Sequence, residues 1–244
     1  MKRIKLVIQF LGKNYSGWQI QPNVRTVQGE ITRAVRELTG EEVEICGSSR
    51  TDAGVSAMGL VAHFDTNSRI EPNNFGKAIN TKLPEDIRVI ESTEVGEDFH
   101  ARFSVKTKTY EYNFYVSPIR LPFFDTTAAR VNPPFDFETA RSAVGGFLGE
   151  HDFVAFCSAG NSTSTTQRTI TAIDLSRTEY GFRLSVTGDG FLYNMVRIIA
   201  GTLIAIGQGK IPATAVPEII ASHDRSLAGP TAEPRGLVLR HVEY

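Results

Sequence analysis

"EEVEICGSSRTDAGVSAMGLVAHFDT", residues 41–66, reads as two strands, EEVEICGSS and LVAHFDT, on either side of a run of small residues. This reading decides the fold because of what flanks it. Upstream, Ile4, Leu6, Ile8 and Phe10 alternate with Lys5, Val7 and Gln9, the period of a strand. A helix follows, with Val27, Ile31, Val35 and Leu38 on one face and Gly40 as its stop. Downstream, EPNNFGKAINTKL reads as a short helix and DIRVIESTEV as another strand. The order is βαββαβ, the split-βαβ or ferredoxin-like pattern. Inside the loop, Arg50 and Asp52 stand two residues apart among Ser48, Ser49, Ala53, Gly54 and Ala57. Small residues admit close approach of backbone or ligand, and Gly54 reaches conformations closed to other residues. Two readings stay open here: an exposed turn with a solvated ion pair, or an active-site loop that presents Asp52.

The second half repeats the order with longer insertions. KTYEYNFYVS is a strand whose Tyr110, Tyr112, Phe114 and Val116 share a face. A proline-containing loop leads to a helix built on Phe137, Ala140, Val144 and Phe147, and a strand starts near Phe153. SAGNSTSTTQRT is a polar loop before the strands ITAIDLSR and FRLSVTG; NMVRIIAGTLIAIG is a nearly all-apolar helix, and GLVLRHVEY a closing strand. The expected fold is α+β: two ferredoxin-like domains, residues 1–105 and 106–244, with antiparallel sheets side by side and a central cleft.

Composition narrows the function classes. With 244 residues, 41% hydrophobic and 22% charged, the chain has the make-up of a soluble globular protein able to bury a sizeable core. No apolar run approaches the roughly 18 residues of a membrane span. The basic start, MKRIKLVIQFLGKNYSG, alternates and contains Gln9, so it reads as a strand rather than a signal peptide. Cys46 and Cys157 have neither metal spacing nor a disulfide framework, and a reduced cytoplasmic protein is the expectation. A net charge of −1, evenly divided between the halves, argues against a general polyanion coat, so a nucleic-acid partner must meet a local basic groove.

Several segments can carry chemistry. GDGFLYNM, residues 188–195, leaves a strand and enters a helix, but Tyr193 stands at the third glycine of a dinucleotide fingerprint. It is a tight strand-to-helix turn or a phosphate cradle of free N–H groups. Arg197 lies among Met195, Val196, Ile198, Ile199, Leu203 and Ile206. A charge on a buried helix must be paired, and Asp52 and Asp189 are candidate partners; a snorkelling surface arginine is the alternative. Gly201, one turn on, permits close packing of that helix. FHARFSVKTKTYEY sets Arg102, Lys106 and Lys108 among aromatics with no acid from Phe99 to Tyr110, which suits a polynucleotide offering phosphates and a base to stack. Tyr112 and Phe114 are expected in the core. The five histidines form no metal spacing, no nucleophile elbow occurs, and Asp152 reads as a turn residue. The inventory is one carboxylate, two arginines and an aromatic, basic rim, with no cofactor or metal site.

These residues resemble a family. GSSRTDAGVSAMGLVAHFDT is similar to the signature loop of the tRNA pseudouridine synthase A family. LPEDIRVI, FHARFSVKTKTYEY, GEHDF, GDGFLYNMVRIIAGTL and GLVLRHVEY resemble its other blocks, in order, over nearly the whole chain. The resemblance implies that Asp52 is the nucleophile, that Tyr110 stacks on the target base, that Arg50 helps hold the flipped nucleotide and that Arg197 pairs with Asp52. It implies uridines 38 to 40 of the tRNA anticodon stem-loop as substrates, a homodimer with tRNA reaching across both subunits, and no cofactor. Ser56 and Leu60 depart from the family pattern, which has His and Gln there, and this bears on RNA positioning more than on the reaction. The chemistry matches the inventory: N1–C1′ breaks, the uracil turns and C5 reattaches, with no electrons exchanged. Whether the aspartate attacks ribose C1′ or uracil C6, or acts as base in an elimination, stays open. In every route it must be ionised in a partly dry pocket, which an arginine partner favours. The target must also leave the helical stack. An inactive tRNA-binding or folding module and the same chemistry on another RNA are the competing readings.

Overall fold

The computed structural model describes residues 1–160 and 163–244. Residues 161 and 162, within the expected polar loop SAGNSTSTTQRT, lie outside the described residues. The chain divides into two compact units: Met1–Lys106 with Leu239–Tyr244, and Thr107–Val238.

In the first unit the N-terminal alternation forms β1 (Lys2–Phe10), with Ile4, Leu6 and Ile8 fully buried. Helix α1 (Val27–Thr39) starts where the Thr26 hydroxyl accepts the Gly29 N–H and stops at Gly40, left-handed at φ 72°. Its buried stripe is Val27, Ile31, Ala34 and Val35. The strand expected over 41–49 is only β2 (Cys46–Gly47). The Gln28 side chain takes the Ile45 carbonyl at 2.8 Å, and Glu41 is occupied by the Thr66 hydroxyl and the Asn67 N–H, so the preceding residues have no ladder to join. Then come β3 (Ser56–Thr66), α2 (Phe75–Asn80) and β4 (Ile87–Val95). β1 pairs antiparallel with both β3 and β4, and β2 pairs with β3. The resulting order β4-β1-β3-β2 is that of a split βαβ.

The second unit opens with β5 (Thr107–Val116), on which Tyr112 and Phe114 are buried, as expected of core residues. A three-residue strand that sequence reading missed, β6 (Ala129–Val131), runs parallel to β5. The expected helix over 137–147 is shorter: α3 (Phe137–Ser142) ends, and a 3-10 turn covers Val144–Phe147. Two glycines weaken helix there, and a Cβ on Gly146 would meet Val216 at 2.9 Å. The strand expected near Phe153 lies just before it, as β7 (Gly149–Asp152). β8 (Gln167–Thr178), β9 (Gly181–Gly188) and α4 (Met195–Gly207) follow, then a second missed element, α5 (Val216–Ser222); the closing strand β10 (Leu237–Glu243) belongs from Leu239 onward to the first unit, not to the second as expected. The strands β5-β9-β8-β7 are antiparallel. The architecture is thus mixed α+β.

Helix α4 is buried at nearly every position, Arg197 and Ile204 excepted. Gly201 allows the packing its position suggested: a Cβ there would sit 1.7 Å from the Pro230 carbonyl oxygen. No helix among the described residues is long and apolar enough to cross a membrane.

Candidate active site

The loop bearing Arg50 and Asp52 joins β2 to β3 and is clamped by the segment after β1. Trp18 N–H donates to the Thr51 carbonyl at 3.0 Å, and Gly54 N–H to the Tyr15 carbonyl at 3.3 Å. The Asp52 carbonyl accepts the Val55 N–H at 3.1 Å, a turn that Gly54 permits at φ 79°. Two glycines make the clamp close. A Cβ on Gly12 would lie 2.1 Å from the Val55 oxygen, and one on Gly17, itself at φ 90°, would lie 2.5 Å from the Thr51 oxygen. The clamp is fixed in turn from β4's approach: Leu11 N–H donates to the Asp86 carbonyl, and the Tyr15 hydroxyl to the Asp86 carboxylate. Ser56 is 3% exposed and accepts the Gly12 N–H at 3.0 Å, so it belongs to the clamp. Leu60 is wholly buried in the core.

On this loop Asp52 is half-buried and Arg50 exposed. The Ser49 and Thr51 hydroxyls on either side of Arg50 are buried with no hydrogen-bond partner among the described residues. Buried hydroxyls are ordinarily paired, so the loop holds hydrogen-bonding capacity that protein groups leave unused. Arg50 and Arg102 line one cleft of about 240 Å³ in this unit, together with Trp18, Glu44, His100 and Phe103. Lys106 is exposed and turned elsewhere; its ammonium donates to the Tyr244 carbonyl at 3.1 Å.

Cys46, His63 and His100 bring ligand-type atoms within 4.8 Å of one another. Their spacing in sequence gave no sign of this, because β2, β3 and the 100–104 turn assemble it. It fits a metal poorly. His63 Nδ1 accepts the Ala101 N–H, and His100 Nδ1 accepts the N–H groups of Arg102 and Phe103. A neutral ring so engaged carries its proton on Nε2, so ligation would require each ring to surrender a backbone bond or a second proton. Burial, with Glu44 nearby, also pushes the Cys46 thiol up, away from the thiolate a metal needs.

His63 is 5% exposed, and burial, with Arg3 and His100 adding positive charge, pulls its pKa down to about 4. Its unfolded value is higher, about 6.5. The unfolded chain therefore takes up a proton first as pH falls. The part of the stability that His63 controls is expected to decline from about pH 6.5 and to level off below about pH 4, by about 3 kcal/mol in total at 1.36 kcal/mol per unit. Unfolding free energies of the wild type and His63→Asn across that range check this. The variant, whose Oδ1 stands where Nδ1 accepts the Ala101 N–H, should lose that part of the slope; equal slopes would contradict the assignment.

In the second unit, Lys108 and Tyr110 lie two residues apart on one face of β5, opposite Gly188 and Val186 of β9. The Tyr110 ring meets Phe191 edge-on, with centroids 5.2 Å apart. Phe191 belongs to the turn GDGFLYNM, which packs as a strand-to-helix turn: Asp189 accepts the Thr169 N–H at 3.0 Å. That bond uses one oxygen of Asp189, one of the two partners considered for Arg197. Arg197 is half-buried, its Nη1 donating to Asn194 Oδ1 at 2.6 Å and its Nε to the Ala232 carbonyl at 2.8 Å. Asn194 presents that oxygen from a left-handed backbone, φ 62°, which asparagine tolerates better than most residues. Sequence reading missed Phe191 and Asn194; an asparagine directly before an apolar helix was the available signal. Asp152, expected in a turn, is instead the last residue of β7, and its carboxylate accepts the Val154 N–H at the start of the 3-10 turn that follows.

Comparison with known proteins bears on the chain as a whole. A family model described as tRNA pseudouridine synthase matches residues 6–104 and 143–244. The chain is 48% identical to a tRNA pseudouridine synthase A of Acetivibrio thermocellus, and 46% identical to one of Ruminiclostridium cellulolyticum; each match covers all of both chains. Among solved structures, an archaeal box H/ACA sRNP Nop10–Cbf5 complex aligns at 10% identity and TM-score 0.37 over 92% of this chain and 60% of that one, too slight a likeness to argue from.

Proposed function

Because the chain belongs to the tRNA pseudouridine synthase family, we propose that it isomerises uridine to pseudouridine in tRNA, at positions 38 to 40 of the anticodon stem-loop. The observation that carries the reading is Arg-Thr-Asp-Ala-Gly at 50–54, set on a glycine-clamped loop within a chain that the family model matches over both units. The reaction balances by itself. N1–C1′ breaks and C5–C1′ forms, while C5 releases its proton to solvent and N1 gains one.

In this proposal Asp52 is the catalytic carboxylate in each of the three routes, attack at C1′, attack at C6, or base-promoted elimination. Arg197 is its ionic partner, and a guanidinium beside the carboxylate keeps it charged when the nucleotide excludes water. The bonds from Arg197 to Asn194 and Ala232 support that role, since they fix the guanidinium before substrate arrives. Tyr110, braced by Phe191, stacks on the extruded uracil, and Arg50 holds the flipped nucleotide. Arg102, Lys106 and Lys108 meet phosphates. The first domain thus supplies the catalytic aspartate and the second completes the site. We further assign a homodimer acting on one tRNA in the cytoplasm.

Mapping pseudouridine in tRNA from cells with and without the gene tests the positions. Loss confined to positions 38 to 40 supports the proposal. Loss elsewhere in tRNA, or in another RNA only, contradicts it.

A further inference from the structure

The cleft of the first unit is lined by more than the reaction needs. We propose that it is a second nucleotide subsite, in which a base of single-stranded RNA beside the target stacks on Phe103 while its phosphate lies against Arg102 and Arg50. The inference rests on the reading of the chain as a tRNA-modifying enzyme and extends it to a residue outside the reacting centre.

Phe103 is 77% exposed, yet its ring is held in place. The His100 ring lies 4.3 Å away at 31°, and His100 Nδ1 accepts the N–H of Phe103 itself. His100 is backed by buried His63, at 4.9 Å and 65°, whose Nδ1 is anchored on Ala101 N–H. An aromatic column thus runs from the core outward and ends on an open face. An exposed ring held in one orientation offers a stacking face that costs little further ordering on binding. The Arg102 guanidinium lies 5.8 Å from the Phe103 ring centroid, and Arg50 lines the same cleft. A flat π-face with one guanidinium beside it and a second in the same cleft is complementary to a base joined to its phosphate. Glu44 is the one acid of the lining and can accept from a base N–H, but it repels phosphate, which leaves the phosphate to the arginine side. At about 240 Å³ the cleft is small beside cofactor sites, and its open aromatic wall suits a single stacked base.

The test uses an anticodon stem-loop RNA, intact and with one abasic ribose at each loop position flanking the target. Dissociation constants are measured for the wild type and Phe103→Ala, with a thermal melt of each protein. Phe103→Ala is expected to melt like the wild type and to bind the intact RNA about 5- to 100-fold more weakly, the range for a lost base–aromatic stack. One abasic position is expected to weaken wild-type binding by a similar factor and to leave Phe103→Ala unaffected. Unchanged binding of intact RNA by Phe103→Ala, or abasic effects equal in both proteins at every position, would overturn the proposal. Failure of the isomerase reading itself shows separately, as wild-type protein that binds the RNA and releases no C5 tritium.

Discussion

Asp52→Asn is expected to abolish release of tritium from C5-labelled uridine in tRNA, a loss on the order of 10⁴-fold or more in kcat, as when a nucleophile is removed from other enzymes. The substitution isolates the carboxylate because little else changes. Asparagine has nearly the same shape, and the bond from Val55 N–H to residue 52 is made by the backbone carbonyl. The loop is held from outside by Trp18, Tyr15 and Gly17, none of which depends on the side-chain charge. Binding of tRNA is therefore expected to stay close to the wild type while turnover disappears, and stability is expected to fall only by what the proposed pairing with Arg197 contributes. An amide can neither attack ribose C1′ or uracil C6 nor serve as a general base, so the loss is expected whichever route holds. Turnover by Asp52→Asn within tenfold of the wild type would remove Asp52 from the chemistry.

Gly17→Ala is expected to damage both fold and reaction, although residue 17 carries no functional group. At φ 90° an alanine is strained, and its Cβ would press on the Thr51 carbonyl at 2.5 Å and on the Asp52 backbone at 3.2 Å. Together the strain and the overpacking are expected to cost about 3 kcal/mol, read as a lower urea midpoint with an unchanged slope. The neighbour that must yield is the loop holding the aspartate. A shift of even a fraction of an ångström there is expected to lower kcat about 10- to 100-fold under conditions where the variant is fully folded. Gly40→Ala is the control. Gly40 is also left-handed, at φ 72°, but a Cβ there meets nothing within 4 Å. It should lose about 1 kcal/mol with kcat intact. Equal kcat losses in the two variants, or none in either, would show that the clamp does not position Asp52.

What the sequence disclosed and what it concealed divide by range. The alternation of Ile4, Leu6, Ile8 and Phe10 and the caps of α1 at Thr26 and Gly40 are local signals, and each forms the element its pattern requires. The strand expected over 41–49 failed because a side chain from α1, Gln28, takes the Ile45 carbonyl, a competition no local pattern records. β6 was lost for a related reason: three residues leaning on β5 hold too few alternations to register. The candidate site shows the same division. Arg50, Asp52, Tyr110 and Arg197 stand out by residue type and context. Gly12 and Gly17 do not, since their importance lies in backbone approaching from more than thirty residues away in sequence. Ser56 looked like a departure at the site and proved to be the acceptor for a buried N–H of the clamp. The column of His63, His100 and Phe103 joins residues that only β3 and the 100–104 turn bring together.

The most direct test of the central claim is tritium release by the purified protein from an unmodified tRNA transcript labelled at uridine C5. Forming the C5–C1′ bond forces the C5 hydrogen out as a proton, so isomerisation cannot occur without release. The expected result is tritium in water, rising to a plateau equal to the uridines present at positions 38 to 40. Bound tRNA that keeps all its tritium would contradict the account and leave the chain a tRNA-binding module.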